Sequence, residues 1–171
     1  AHVQGANHLR VFSYPLDCKK QYRKRKETLI KFSNSQSVEI AVQEIKRNIQ
    51  NKPKRFMIMV NPYGGAKLAQ EYLEKIVEPM LYEADIKYEV FTTEYEGHGV
   101  DIAVQYDREK FDGIVTISGD GTLNEIINGL SKRPDKCALS DVNIGVLNGG
   151  TANCVVAAML DERGERGCAS H

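Results

Sequence analysis

Short apolar runs alternate with amphipathic stretches along most of the chain, and this alternation predicts the fold. Four runs have the length of buried strands, and they lie at 56–60, 88–91, 113–117 and 143–147. A turn and a helical pattern follow each run, at 67–78, 99–106, 123–130 and 152–160. Because such βα units form parallel sheets, we predict an α/β fold: an open, mostly parallel sheet with helices on both faces. We expect Pro79 to stop or kink the first of these helices.

The first 51 residues follow a different pattern. Runs typical of β-strands lie at 11–14 and 28–32. One apolar stripe at helical spacing follows them, consisting of Val38, Ala41, Val42, Ile45 and Ile49. Because two strands and one helix are too little to stand alone, we predict that residues 1–51 are the tail of a preceding module. We expect a single domain at 52–160 and a disordered tail at 161–171, which is polar and glycine-rich.

The composition is that of a globular protein and does not indicate a particular binding partner. The 171 residues are 42% hydrophobic and 27% charged, which is a normal globular balance. Lys plus Arg and Asp plus Glu each number 23, so net charge gives no argument for nucleic acid, and we expect none as a partner. The four cysteines are scattered without metal-ligand spacing, so we predict an intracellular, cytoplasmic protein with no protein-bound metal site. No apolar run approaches a membrane span.

Glycine-rich turns follow three of the four predicted strands. They lie at 61–65, 118–122 and 148–153. The carboxyl ends of parallel strands meet at one edge of a sheet, where ligands bind. Because glycine lets a phosphate approach backbone N–H groups closely, we interpret the three turns as a phosphate site rather than as tight bends alone. The first turn is neither a P-loop nor a dinucleotide fingerprint.

Two carboxylates lie close to this predicted edge. Asp120 stands between two glycines, so we expect its carboxylate to be exposed. It suits a general base that takes a proton from an attacking hydroxyl, or a ligand for the Mg²⁺ of ATP. The alternative is an Asx-turn or helix N-cap, and the two interpretations are compatible. Glu125 lies on the following helix and is either a nucleotide contact or a solvated surface residue.

Taken in order, these motifs resemble the diacylglycerol kinase catalytic-domain superfamily, and within it the sphingosine kinases. The resemblance runs from about Leu9 to Leu160. Its elements are Asn-Pro-x-Gly-Gly at 61–65, Thr-Glu at 93–94 with His98, Ser-Gly-Asp-Gly at 118–121 with Glu125, Asn-Gly-Leu at 128–130, Arg-Pro-Asp at 133–135, and the glycine-rich run at 147–154.

The resemblance implies a fold, a reaction and a set of site residues. It implies a phosphofructokinase/NAD-kinase-like N-terminal domain at 52–160, preceded by a short β/α remnant of a PH-like module. It implies that ATP, with Mg²⁺, phosphorylates the primary hydroxyl of a sphingoid base to give the 1-phosphate. Asp120 is then the catalytic base, and Ser118, Gly119, Asp120 and Gly121 lie near the lipid. The implied nucleotide-binding residues are Asn61, Pro62, Tyr63, Gly64, Gly65, Thr93, Glu94, Glu125, Gly150, Thr151 and Ala152.

Several positions depart from the family pattern. Lys67 stands where a further glycine of the loop is common, Asn148 replaces a proline, and Ala152 replaces a glycine beside the phosphate turn. The run after Glu94 is also unusual, so we expect His98 to be a structural turn residue rather than a ligand. After Leu160 the resemblance ends, and we expect a fragment without the lipid-binding domain, which binds ATP poorly and phosphorylates nothing by itself.

Other interpretations remain open. A ceramide, diacylglycerol or NAD kinase shares the superfold, and a catalytically inactive binding module is a further alternative. The basic run at 19–26 holds six positive side chains in eight residues. It is either a solvated loop or a surface for anionic lipid, which would suit peripheral membrane contact in a lipid kinase.

Overall fold

The computed structural model describes residues 2–17, 22–48, 54–65, 67–135, 138–149 and 153–162. The chain divides into two compact units. The N-terminal unit comprises Ala1–Lys52 with Leu160–His171, and the α/β unit comprises Pro53–Met159.

The N-terminal unit is an antiparallel sheet with one helix. Its elements are β1 (His2–Val3), β2 (His8–Ser13), β3 (Leu16–Asp17), β4 (Tyr22–Arg23), β5 (Lys26–Lys31) and α1 (Ser35–Asn48). Strands β1, β2 and β5 form one sheet in that order, and β3 pairs with β4. Helix α1 begins after Asn34, whose Oδ1 accepts a hydrogen bond from the Ser37 N–H at 2.8 Å. Both predicted strands and the helix are confirmed, whereas Ile49 and much of the basic run lie outside the described residues.

The α/β unit contains the predicted parallel sheet. Its strands are β6 (Arg55–Val60), β7 (Lys87–Thr92), β8 (Gly113–Ser118) and β9 (Asn143–Asn148), in the order β7-β6-β8-β9. All three pairings are parallel and in near register, so the four strands end at one edge.

Helices cover both faces of this sheet. The helical elements from residue 69 onwards are α2 (Ala69–Tyr72), a π-helical segment (Leu73–Val77), α3 (Glu78–Glu83), α4 (His98–Val104), α5 (Asp120–Ser131), α6 (Ala138–Asp141) and α7 (Cys154–Glu162). Alternate strand residues point to opposite faces. Met57 and Met59 pack with residues of α4 and α5, whereas Ile58 and Val60 pack with α2 and the π-helical segment. The predicted α/β class with helices on both faces is confirmed.

The helix boundaries differ from the sequence pattern at two places. The helical segment from 69 does not stop at Pro79 but reaches Glu83, because Pro79 occupies the first turn of α3 and the π-helical segment lies directly before it. In that position the missing N–H of proline breaks no necessary hydrogen bond. Helix α7 extends to Glu162, two residues into the expected disordered tail, and 163–171 lie outside the described residues. Within the described part of the chain, no helix has the length and apolar character needed to cross a membrane.

Candidate active site

The residues that directly follow the four strands form one edge of the sheet, which we call the rim. Backbone hydrogen bonds connect its parts. The Asn61 N–H donates to Ile117 O at 3.5 Å, the Thr93 N–H to Val60 O at 2.9 Å, and the Gly149 N–H to Ser118 O at 3.1 Å. The predicted convergence of the glycine-rich turns at one edge is therefore confirmed for the described residues. Gly150, Thr151 and Ala152, which were predicted to contact the nucleotide, lie outside those residues.

The turn after β6 is organised by the Asn61 side chain. Its Oδ1 accepts a hydrogen bond from the Tyr63 N–H at 2.9 Å, and its Nδ2 donates to Thr122 Oγ1 of α5 at 3.2 Å. Pro62 and Gly64 continue the turn along the rim. Tyr63 is exposed, and Lys67 has a positive φ of 59°. A positive φ explains why glycine suits position 67, since a side chain is disfavoured there.

The turn after β7 carries Thr93 and Glu94. Thr93 is buried, and its hydroxyl donates to Val60 O at 3.4 Å, whereas Glu94 is exposed. The Glu94 N–H donates to His98 Nδ1 at 3.1 Å, and the His98 ring stacks on Tyr95 at 4.4 Å. His98 thus makes the contacts expected of a structural turn residue, and the expectation that it does not contact a ligand stays a prediction. The Tyr95 hydroxyl donates to Asp101, and this bond raises the pKa of Tyr95.

The environment of Asp120 differs from our expectation of an exposed carboxylate, which is wrong. Asp120 is half-buried, and its Oδ2 accepts a hydrogen bond from the Cys154 N–H at 2.9 Å. Its Oδ1 is buried and has no hydrogen-bond partner in the structure as described. The N-cap alternative is also wrong for its own helix, whose N-cap is Gly119. The carboxylate instead caps the first turn of α7, which begins beside it.

The start of α5 is open next to this carboxylate. Its N-cap, Gly119, makes no side-chain cap hydrogen bond. A Cβ added to Gly121 would meet no atom of the described residues within 4 Å, and Gly121 does not adopt a positive φ. The local fold therefore gives no reason for a glycine at 121. Uncapped N–H groups at the start of a 12-residue helix attract anions.

Ser118 and Asn153 are buried at the rim and form hydrogen bonds within it. Ser118 is buried, and its hydroxyl hydrogen-bonds with Thr116 Oγ1 at 2.7 Å and donates to Gly119 O at 3.1 Å, so its side chain is engaged within the fold. The Asn153 Nδ2 donates to Ser118 O at 2.9 Å and to Asn148 Oδ1 at 2.7 Å. Asn153 therefore connects the ends of β8 and β9, a role that the sequence reasoning missed. The only signal was its place at the end of a glycine-rich motif.

A second buried oxygen lies in this part of the rim. Asn153 Oδ1, like Asp120 Oδ1, has no partner among the residues that the structure describes. Gly149 also lies close to β8 here. A Cβ added to Gly149 would lie 3.1 Å from the Ser118 nitrogen. Asn148, which replaces a family proline, uses its side chain as the acceptor for Asn153.

Glu125 has both carboxylate oxygens engaged by the backbone. Oε1 accepts from the Gly97 N–H at 3.2 Å, and Oε2 accepts from the Gly99 N–H at 3.0 Å. Gly97 is the N-cap of α4 and has a φ of 86°. The interpretation of Glu125 as a solvated surface residue is wrong, and its contact with a nucleotide stays a prediction.

The chain is similar to a known family and to several known proteins. Residues 55–169 match the model of the diacylglycerol kinase catalytic domain. The chain is 40% identical over 119 residues to sphingosine kinase 2 of Arabidopsis thaliana, with 70% of this chain and 25% of that protein covered. It is 35% identical to human sphingosine kinase 2 over 121 residues, which are 71% of this chain and 18% of that protein.

Two further proteins are similar to smaller shares of this chain. Identity to sphingoid long chain base kinase 5 of Saccharomyces cerevisiae is 34%, covering 66% of this chain and 18% of that protein. The crystal structure of a diacylglycerol kinase from Bacillus anthracis superposes with a TM-score of 0.48 and 27% identity, covering 61% of this chain and 36% of that one. The chain thus spans about a quarter or less of the length of these curated relatives.

Proposed function

Because this chain belongs to the diacylglycerol kinase catalytic domain family, we propose that it is the nucleotide-binding part of an ATP-dependent lipid kinase. Its substrate would be the primary hydroxyl of sphingosine or a related sphingoid long-chain base. The lipid class rests on the names of the relatives, which are sphingosine and sphingoid long-chain base kinases. Such a reaction would take place in the cytoplasm, with peripheral contact between the enzyme and a membrane that holds the lipid.

One observation carries the proposal. The unpartnered Oδ1 of Asp120 lies at the first residue of α5, whose N–H groups have no side-chain cap. A phosphate oxygen bound at such a helix start receives backbone hydrogen bonds and a favourable helix dipole. The open space at Gly121 lets a ligand approach the backbone closely.

We assign Asp120 the role of general base. Its Oδ2 is held by the Cys154 N–H, so the carboxylate has a fixed orientation while Oδ1 has no partner among the described residues. A carboxylate fixed in this way can take the proton from a primary hydroxyl as the hydroxyl oxygen bonds to the transferred phosphorus. The hydroxyl must then lie within hydrogen-bond distance of Oδ1.

The donor set of the rim also fits Mg²⁺ brought with ATP. Mg²⁺ prefers oxygen ligands and is usually held by one or two carboxylates together with the phosphates. Asn153 Oδ1 is an oxygen without a partner in the described structure and suits this role, whereas Asp120 Oδ1 could take it only in place of the hydroxyl. When bound, Mg²⁺ would neutralise negative charge on the phosphates.

Nucleotide binding tests the first half of the proposal. We expect Mg·ATP to shift the amide NMR signals of residues 119–122 of the purified chain in a saturable way. Inorganic phosphate should shift the same signals more weakly, because it lacks the remaining contacts of a nucleotide. Absence of any saturable shift with Mg·ATP would refute the proposed site.

A chimera tests phosphoryl transfer. Residues 55–160 would replace the matching segment of Arabidopsis sphingosine kinase 2, and transfer from labelled ATP to sphingosine, ceramide and diacylglycerol would be measured. We expect a sphingoid base phosphate as the product. Asp120→Asn should lower kcat by about 10²–10⁴-fold, because general base catalysis contributes about that much. A chimera in which Asp120→Asn keeps full turnover would contradict the assigned role.

A further inference from the structure

Helix α4 is held at both of its ends by charged side chains that belong to α5 or follow it. At its start, the Glu125 carboxylate accepts the N–H groups of Gly97 and Gly99 at 3.2 and 3.0 Å. At its end, the Arg133 guanidinium donates to Val104 O at 2.8 Å and to Tyr106 O. The acid lies at the positive end of the helix and the base at the negative end, which is the favourable arrangement.

The two helices approach each other closely between these contacts. A Cβ added to Gly129 would lie 2.5 Å from Val100 O and 2.6 Å from the Ala103 Cβ. A Cβ added to Gly99 would lie 2.4 Å from Glu125 Oε2. At Gly129 the two helices are therefore packed with almost no space between their backbones.

Arg133 is itself held in place. Its Nε and Nη2 donate to the two oxygens of Asp135 at 2.8 and 3.0 Å. These bonds raise the pKa of Arg133 and lower the pKa of Asp135. A bidentate pair of this kind fixes the plane of the guanidinium and directs its remaining N–H groups at the carbonyls that end α4.

The loop that α4 holds is part of the rim. Residues 93–97 connect the end of β7 to α4 and carry Thr93 and Glu94, the predicted nucleotide contacts. The loop is fixed at one end where the Thr93 N–H donates to Val60 O, and at the other where Gly97 donates to Glu125.

We propose that Glu125 and Arg133 are positioning residues, which fix α4 and through it the 93–97 loop at the rim. Glu125 acts through the N–H groups of Gly97 and Gly99. Both of its oxygens accept charge-assisted hydrogen bonds from the start of α4. This inference rests on the proposed nucleotide site for its effect on binding, but not for the contacts themselves.

A spectroscopic test examines the positioning role of Glu125 at the two glycine N–H groups themselves. In Glu125→Gln and Glu125→Ala, we expect the amide proton signals of Gly97 and Gly99 to move upfield and to exchange faster with solvent, without any nucleotide present. Mg·ATP affinity should fall by about fivefold or more, in the range typical of coupling between sites. Glu96→Gln, which changes an exposed carboxylate of the same loop, is the control and should leave both glycine signals in place.

The results distinguish failure of this inference from failure of the proposed function. If the glycine signals stay unchanged in Glu125→Ala, the positioning role is overturned, whatever happens to affinity. If the signals move but affinity does not, the role of Glu125 in positioning the loop for nucleotide is also overturned. If the unaltered chain binds no Mg·ATP, the proposed function fails, while the glycine signals still test the contact.

Arg133 is tested against a neighbouring arginine. Arg133→Met removes the carbonyl contacts at the end of α4, and we expect weaker Mg·ATP binding together with shifted signals in the 93–97 loop. Arg108→Met removes an exposed ion pair with Asp141 at 3.0 Å and should change neither. Equal behaviour of the two variants would overturn the assignment of Arg133.

Discussion

The two halves of the rim differ in how completely the fold satisfies their polar groups. In the half that follows β6 and β7, Asn61 uses both ends of its amide and the Thr93 hydroxyl has a carbonyl acceptor. In the half that follows β8 and β9, Asp120 and Asn153 each keep one buried oxygen without a partner among the described residues. In the first half, the chain itself supplies hydrogen-bond partners for these polar side chains. In the second half, the two oxygens could be satisfied by a hydrogen-bond donor or a cation of a ligand.

This difference indicates where the ligand acts. A buried polar group without a partner costs about 1–3 kcal/mol, so a fold keeps such groups only where something else compensates. Buried polar groups without a partner are therefore commonly found at functional sites, where a ligand can satisfy them. The half that follows β8 and β9 combines both unpartnered oxygens with the uncapped start of α5. We therefore expect substitutions at Asp120 and Gly121 to separate binding from stability, and substitutions at polar contacts that the fold itself satisfies to affect stability first.

The largest effect on stability is expected at Asn153, which connects the two strand ends. Asn153→Ala removes the hydrogen bonds to Ser118 O and Asn148 Oδ1, so we expect the free energy of unfolding to fall by about 2–3 kcal/mol. Urea denaturation measures this. Asn143→Ala removes one exposed bond to Asp112 O and is the control, with an expected loss below about 1 kcal/mol. Similar losses in both variants would show that Asn153 does not carry the connection.

A smaller loss is expected where α4 and α5 touch. Gly129→Ala places a methyl group against Val100 O and Ala103, which overpacks the contact. We expect the free energy of unfolding to fall by about 1–2 kcal/mol, since overpacking outweighs the better helix propensity of alanine. Thermal unfolding measures it, and a variant more stable than the parent would contradict the close approach of the two helices.

The strands of the sheet and their parallel order could be predicted from the sequence. The contacts of Asp120 and Glu125 could not. The apolar run at 56–60 is enough to identify a buried strand, and parallel order follows from the βα alternation. The orientation of Asp120 could not be predicted, because it depends on where α7 begins, 34 residues later. The partners of Glu125 lie 26 and 28 residues before it, and no local pattern indicates such contacts.

Asp120→Asn should change stability little despite its effect on catalysis. Asparagine can still accept the Cys154 N–H, and the substitution removes a half-buried charge. The charge also favours the start of α7, by about 0.3–1 kcal/mol. We expect these effects to offset each other, so that the free energy of unfolding changes by less than about 1 kcal/mol. A larger loss in urea denaturation would mean that Asp120 is chiefly structural.

The smallest effect concerns acid stability at the end of α4. Hydrogen bonds from Arg133 hold the pKa of Asp135 below its ordinary value in the folded chain. Its contribution to stability is therefore complete above the unfolded pKa of about 3.9, and it is lost as pH falls through the lower folded pKa. We expect the parent chain to lose more stability than Asp135→Asn when pH is lowered through this range. Identical pH profiles would contradict the ion pair.

The most direct test of the central claim, that the start of α5 beside Asp120 receives the phosphates, compares two glycines by NMR titration with Mg·ATP. Gly121 borders open space, whereas a Cβ on Gly145 would make an ordinary contact with Val115 at 3.5 Å. We predict that Gly121→Ala raises the Kd by about 5- to 150-fold, equivalent to about 1–3 kcal/mol of overpacking, without lowering stability. Gly145→Ala should bind like the parent chain. Equal affinity in Gly121→Ala and Gly145→Ala would contradict the claim.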